Sequence, residues 1–395
     1  MSKENILLVH NYYQIPGGED VVVENEKAML EKNGHKVTLY TRHNDEIKNL
    51  SLCGKVKSAV GMVYSRRTIR DIENIIKDGN IDIIHVHNTF PLISPSIYSV
   101  AARYGIPVVQ TVHNFRLVCP GGVFYRDKIC TECVSKRSGL WNAIRHRCYR
   151  NSFFYTLMTC IMLKFNRIKG TYSKASYICL TEFNKKQLLT INKRHEYINP
   201  DRVYVKPNFT YETDIDLKHI EADMDTYVYV GRLEELKGTG MLLEAFRGMP
   251  DKKLMVIGSG AEDEYYKDSC KENSNVVFMG RMPHKQTLEH IAQAAALILP
   301  SQCYESFAMV IVEALSVGTP VICANIGNLN NIVQDNRNGM LFQYDSVDSL
   351  RDKVHSMTRE LRNYMSEDAI QTYRDNYSSE RNYEILESIY EKVQQ

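Results

Sequence analysis

Twice along this chain, short apolar runs of strand length alternate with segments of helical periodicity, and the alternation restarts after residue 206. Parallel neighbours in a sheet need a crossover of a dozen or more residues, usually a helix, so the pattern predicts an α/β protein with parallel sheets covered on both faces. The first pass runs from ENILLVH through the loop NYYQIPGGED to a helix over 21–32, an Asn33-Gly34 cap and the strand KVTLYT. Further strands are predicted at 81–87, 107–112 and 176–180, and VYVKPN closes the domain. The second pass predicts strands at 227–230, 253–257, 276–279, 296–299 and 320–323. The expected organisation is an N-terminal Rossmann-like domain over 1–206, a C-terminal Rossmann-like domain over 207–377, and an amphipathic helix over 378–395 that packs back toward the first. Two doubly wound domains facing each other would place a ligand cleft where the C-terminal ends of their strands meet.

At 395 residues, 44% of them hydrophobic and 24% charged, the composition excludes a disordered or fibrous chain and exceeds one ordinary core. No stretch reaches the ~18–20 apolar residues of a spanning helix. The first residues run into a strand with no apolar leader or small-residue cleavage site, so a cytoplasmic protein is expected. The near-neutral total hides an uneven distribution. Residues 1–206 carry 31 Lys and Arg against 17 Asp and Glu, and the excess peaks over 134–181, with nine basic residues and no acidic one. A basic half points to anionic partners.

Three groups of residues carry candidate chemistry. The first is Glu305-Ser306-Phe307-Ala308 followed, eight residues after the first glutamate, by Glu313; it lies after the strand LILPS and is read as opening a helix. Free N–H groups of Ser306 and Phe307 at that helix start would suit phosphate or sugar oxygens. The second is Gly231-Arg232-Leu-Glu-Glu-Leu-Lys237-Gly238, two cations in a loop after the second domain's first strand, able to neutralise a diphosphate leaving group. The third is Gly17-Gly18-Glu19 ahead of a helix, where missing side chains let backbone approach a ligand. Each group alone is equally compatible with solvated charges or an ordinary helix start.

Together, in this order and spacing, these groups resemble glycosyltransferase family 4, the retaining enzymes of GT-B fold. The resemblance spans nearly the whole chain and includes Gly34-His35, IDIIHVHN, the TVHN segment around His113, GRLEELKG and EALSVGTPVI. It implies transfer of a sugar from a nucleotide-sugar donor, with retention, to a glycan or polyprenol-linked acceptor, in the context of cell-surface polysaccharide synthesis. It also implies roles for particular residues. Arg232 and Lys237 would hold the diphosphate and Glu313 the ribose, while Glu305 would lie beside the reaction centre and His113 near the sugar and acceptor. Ser306, Phe307 and Ala308 would contact the donor sugar, Gly17 and Gly18 the phosphates, and Gly280-Arg281-Met282 the base. The diphosphate would be stabilised by cationic side chains and helix dipoles, with no catalytic metal or other cofactor required. Two positions depart from the family pattern: Glu-Ser-Phe-Ala replaces Glu-Gly-Phe-Gly, and Gly327-Asn-Leu-Asn-Asn331 replaces Gly-Gly-x-Pro-Glu, which leaves the donor sugar open. A binding module with a decayed site would not need Arg232, Lys237, Glu305 and Glu313 intact. A GT-B sugar-nucleotide epimerase remains an alternative.

Ten cysteines in a long chain without a secreted framework are expected as thiols or a metal site. Cys119, Cys130, Cys133 and Cys148, with one Cys-x-x-Cys pair, could bind a structural zinc, against free thiols as the alternative. The segment 134–181 combines its basic residues with an apolar run from Phe153 to Phe165. It reads either as a core helix with a basic flank or as a surface for an anionic leaflet, in which case the protein would be peripheral on the inner face of the cytoplasmic membrane. No nucleic-acid-binding motif accompanies it, so no nucleic-acid partner is expected.

Overall fold

The computed structural model describes residues 3–14, 17–48, 50–136, 138–193 and 195–395. Residues 15 and 16 of the predicted glycine loop and residue 137 of the basic segment lie outside the described residues. The chain divides into two units, one made of Met1–Phe124, Cys130–Asn208 and Asn382–Gln395, the other of Tyr125–Ile129 and Phe209–Arg381.

The first unit is built on a six-stranded sheet. Its strands are β1 (Asn5–Tyr12), β2 (Lys36–His43), β3 (Ile83–Val86), β4 (Val108–Val112), β5 (Ser176–Cys179) and β6 (Val203–Val205), in the order β2-β1-β3-β4-β5-β6. Every neighbouring pair is parallel, with Val9 beside Val86 at the β1–β3 junction. Ile6 to Val9 are fully buried, as a strand covered on both faces requires. The helix Gly18–Lys32 turns Val22, Val23, Glu26, Met29 and Leu30 inward at helical spacing, and Gly34, at φ +90°, ends it before β2. The last helix, Ser379–Gln394, buries Leu386, Ile389 and Tyr390.

In the second unit the strands are β7 (Asp223–Val230), β8 (Lys253–Ile257), β9 (Val276–Gly280), β10 (Ala294–Leu299), β11 (Val321–Ala324) and β12 (Gly339–Phe342). They form a second parallel sheet in the order β9-β8-β7-β10-β11-β12. This is the doubly wound order whose reversal point lies between the first and fourth strands, here β7 and β10. In the first unit the corresponding point lies between β1 and β3. The α/β class with two doubly wound parallel sheets is as the sequence predicts. The sequence reading lacked β12 and the two-residue hairpin Tyr125–Arg126/Lys128–Ile129, both too short to show a period. No helix among the described residues is long and apolar enough to cross a membrane.

Candidate active site

In an open parallel sheet the strand connections diverge at the reversal point and leave a crevice at the strands' C-terminal ends. In the second unit this is where the loops after β7 and β10 meet. Gly231 N–H donates to the Ile257 carbonyl at 3.0 Å, and the Tyr229 hydroxyl donates to the Arg232 carbonyl at 2.7 Å, fixing the first loop. Gly238 then adopts φ +75°, and a Cβ there would lie 1.9 Å from the Pro300 carbonyl oxygen. Only glycine permits that approach, and it seats the Lys237 turn against the end of β10. Gln302 N–H completes the junction by donating to the Leu236 carbonyl at 2.9 Å.

The junction brings together two of the predicted residues. Lys237 Nζ lies 2.6 and 2.9 Å from the two carboxylate oxygens of Glu305, and Ser301 Oγ donates to Oε1 at 2.6 Å. Burial by itself would raise the Glu305 pKa, but Lys237 and the Ser301 hydroxyl hold it below the ordinary carboxylate value. Burial would likewise lower Lys237, and Glu305 holds it up. Both groups are therefore charged, and a partly open ammonium stands at the reversal point. Arg232 acts on the pair through space while its guanidinium, 60% exposed, bonds Glu234 at 2.9 Å.

The remaining residues predicted in this unit are dispersed around the pair. The helix opens at Met309, so Ser306 and Phe307 precede it and Ala308 is its cap; the sequence reading had placed the helix start about three residues early. The segment before the helix is tied from a distance: Asn328, in the loop that departs from the family pattern, donates to the Ser306 carbonyl at 3.0 Å. Glu313 faces His284 at 3.3 Å and raises the His284 pKa. Gly280 ends β9 at φ +69°, and Arg281 Nε donates to Ser259 Oγ at 2.5 Å; Met282 follows, half-buried.

At the reversal point of the first unit lies a second constellation, most of it not singled out from sequence. Glu26, wholly buried, accepts from Lys206 Nζ at 2.9 Å and has His85 Nδ1 at 3.0 Å and His87 Nε2 at 3.3 Å. His87 Nδ1 meets His113 Nε2 at 2.9 Å, and the rings of His85, His87 and His113 stack successively. The C-terminal helix joins in, with Asn382 Oδ1 accepting from Lys206 at 2.8 Å and the Tyr390 hydroxyl 2.7 Å from His85. Burial would raise Glu26, yet Lys206 and the two histidines hold it well below the ordinary value. Burial pushes His87 down to about 4 and His113 well below the usual histidine range. The three nearest ligand atoms of Glu26, His85 and His87 lie within 4.8 Å of one another, but the Lys206 ammonium already balances the carboxylate, so the group is an ion-pair network. The available signal was His-x-His in an otherwise apolar strand, two polar rings on one face of a buried sheet.

Beside it, Asp20 links β1 to the glycine loop, accepting from Gly17 N–H at 2.9 Å and bonding His10 Nε2 at 2.8 Å. A Cβ at Gly17 would meet no atom within 4 Å, and its φ is −133°, so nothing inside the protein demands glycine there. Gly18 opens the helix and is exposed. Cys119, Cys130 and Cys148, with Cys160, surround Cys133 closely enough to influence its thiol, and burial pushes Cys133 up and Cys160 up to about 12. Among the described residues, however, no three of these sulfurs approach one another at ligand spacing.

Comparison with solved structures accords with this geometry. A protein from Anabaena in complex with UDP-glucose superposes over 98% of this chain and 100% of its own, with a TM-score of 0.65 at 15% identity. A glycosyltransferase involved in lipopolysaccharide biosynthesis superposes over 98% of this chain and 99% of its own, also at 0.65, with 16% identity. The fold, with its two parallel six-stranded sheets, is that of the GT-B glycosyltransferases. In sequence, residues 16–159 match the Glycosyltransferase Family 4 model and residues 212–372 the Glycosyl transferases group 1 model, and an uncharacterized glycosyltransferase from Methanocaldococcus jannaschii is 24% identical over 98% of both chains. The chain is a glycosyltransferase of the family 4 type.

Proposed function

We propose that the chain is a retaining glycosyltransferase moving a sugar from a nucleotide-sugar donor to a glycan or lipid-linked glycan, in cell-surface polysaccharide synthesis. The observation that carries this reading is the Lys237–Glu305 pair at the reversal point of the second sheet. When the glycosidic bond to a diphosphate breaks, charge grows on the phosphate oxygens, and a preorganised ammonium stabilises it without reorganisation. Lys237 and Arg232 supply that charge, which makes a catalytic metal unnecessary. Glu305 is then the carboxylate beside the transferred sugar and Glu313 the ribose partner. Ser306, Phe307 and Ala308 take the sugar, and Gly280, Arg281 and Met282 the base. Gly17 and Gly18 leave room for the phosphates, and His113 addresses the reacting sugar. The second unit is the donor domain and the first the acceptor domain. A thermal-shift screen of UDP-, GDP-, dTDP- and ADP-sugars tests the donor class, because a ligand at 100 times its Kd stabilises the native state by ~2.7 kcal/mol. Stabilisation by none of the four overturns the reading; the anomeric configuration of the product decides retention.

A peripheral membrane location fits the outer face of the helix Phe153–Ile168. Its inner face buries Thr156, Cys160 and Leu163, while Phe153, Phe154 and Ile168 are 54%, 42% and 73% exposed. Basic side chains flank these apolar groups, the combination that binds an anionic leaflet, at ~1 kcal/mol per Lys or Arg near the surface. Wild type should co-sediment with anionic but not neutral vesicles, and an Arg145/Arg147/Arg150→Glu variant should not. Zinc analysis of the same purified protein tests the four-cysteine site, with one zinc per chain expected if it forms.

A further inference from the structure

We propose that Glu26 and His87 are positioning residues for His113, holding it as the tautomer that carries its proton on Nε2 and presents a bare Nδ1 to a sugar hydroxyl. The inference rests on the assignment of His113 to the reacting sugar. It begins at Glu26. This carboxylate is wholly buried and takes the Lys206 ammonium at 2.9 Å, so it is ionised and has no proton to give. His87 Nε2 stands 3.3 Å from its other oxygen, which His85 Nδ1 also approaches at 3.0 Å; there a lone pair would be repelled and an N–H attracted. His87 therefore carries its proton on Nε2. A neutral imidazole has a single N–H, which leaves His87 Nδ1 as a lone pair.

The 2.9 Å contact between His87 Nδ1 and His113 Nε2 then needs its hydrogen from His113. His113 Nδ1 is left as an acceptor. The alternative is a doubly protonated His87, a second cation beside Lys206 in a fully buried site that also holds His85 and His10. Burial opposes it, and the pKa of His87 is correspondingly depressed. The other titratable groups facing this chain already have partners: Asp20 bonds His10, and Tyr390 bonds His85, whose Nε2 meets Thr111 Oγ1 at 2.8 Å. His113 and His87 also border a small cavity of mixed lining, with Asn88 and Arg116 beside Phe90 and Met162, which gives the oriented ring a place to meet a hydroxyl. A sugar hydroxyl is a hydrogen-bond donor, and a histidine frozen with Nδ1 bare can only accept from it. The same ring free to exchange tautomers would spend part of its time offering the wrong partner.

The test reads the tautomer directly, by ¹⁵N NMR of the histidine rings in the full chain without substrate. Wild type should show His113 protonated on Nε2, and His87→Phe should shift it toward a mixture. His87→Gln, whose amide can bond both neighbours, should restore part of the wild-type ratio. Thermal melting shows that each variant is folded. In transfer assays His87→Phe should lose roughly 10-fold or more in kcat with donor affinity unchanged, since only orientation is lost. A wild-type His113 protonated on Nδ1, or an unchanged ratio in folded His87→Phe, overturns the proposal. A shifted tautomer with unaffected transfer would instead retain the relay and overturn the placement of His113 at the reacting sugar.

Discussion

The two units share an architecture and each places an ion pair at its sheet's reversal point, but the pairs are differently exposed. The Lys237 and Glu305 side chains keep 19% and 10% of their surface; those of Lys206 and Glu26 keep none. The first pair is set on loops that a ligand can reach. The second is sealed under a C-terminal helix and bordered by His85 and His87. On the reading proposed above, the same chemistry of one lysine on one glutamate would serve charge stabilisation in one unit and rigid orientation in the other.

The sharpest way to break this contrast is to remove one lysine from each unit. Lys206→Met leaves Glu26 charged and buried with no ammonium, a change that typically costs ~3–5 kcal/mol of folding stability. Adding Glu26→Gln should recover much of it, because a buried pair replaced on both sides is far less costly than one broken. Urea denaturation of the single and double variants measures both. Lys237→Ala should instead lose at least ~100-fold in turnover, about 2.7–4 kcal/mol of transition-state stabilisation, with a smaller loss of stability than Lys206→Met. Water can reach Glu305 after the substitution, and Ser301 still donates to it. Equal destabilisation by the two variants would erase the distinction between the units.

Acidification separates the units by window. His87 ionises at about 4 in the folded protein against 6.5 in the unfolded chain, so the unfolded state takes up its proton first. Its contribution is intact above pH 6.5 and is lost as the pH falls toward 4, and His113 shifts the same way. Glu305 lies below its unfolded value of 4.5, so its contribution is present above 4.5 and is lost only at still lower pH. Stability measured from pH 7 to pH 4 should fall in wild type and fall less in folded His87→Phe. An identical pH profile in the two would mean that His87 is not buried neutral.

How legible all this was in the sequence follows the same division. All strands of the two sheets but β12 were readable, most of them as short apolar runs such as ILLV or ALIL, and the loops Arg232–Lys237 and Glu305–Glu313 because their residues are near in sequence. Apart from His113 the buried network was not, because Glu26, His85, Lys206 and Asn382 come from separate parts of the chain, and Glu26, Lys206 and Asn382 each alone look like a solvated polar residue. Only the fold links them, through successive contacts of 2.8–3.0 Å. The helix start at Met309 was missed for a related reason: the bond that fixes it comes from Asn328, 22 residues on. Burial and long-range pairing are not local properties, and patterns of local spacing cannot report them.

The smallest effect tests the exposed end of the comparison. Arg232 is the most open of the charged groups considered, and its bond to Glu234 crosses solvent. Such pairs contribute ~0–1 kcal/mol, since water and salt compete for both partners and the long side chain must be ordered to make the contact. Arg232→Ala should therefore leave the melting temperature within a degree or two of wild type, on the order of 0.5 kcal/mol for a chain of this size. Its proposed role is to meet the donor, where the guanidinium's fork would match phosphate oxygens. The expected change is a rise in donor KM and a fall in kcat/KM with folding untouched, and it should persist with a donor analogue that binds but cannot react. If Arg232→Ala left donor binding intact, the diphosphate would be held by Lys237 without it. If it lowered stability as Lys206→Met does, exposure would not be what distinguishes the two units.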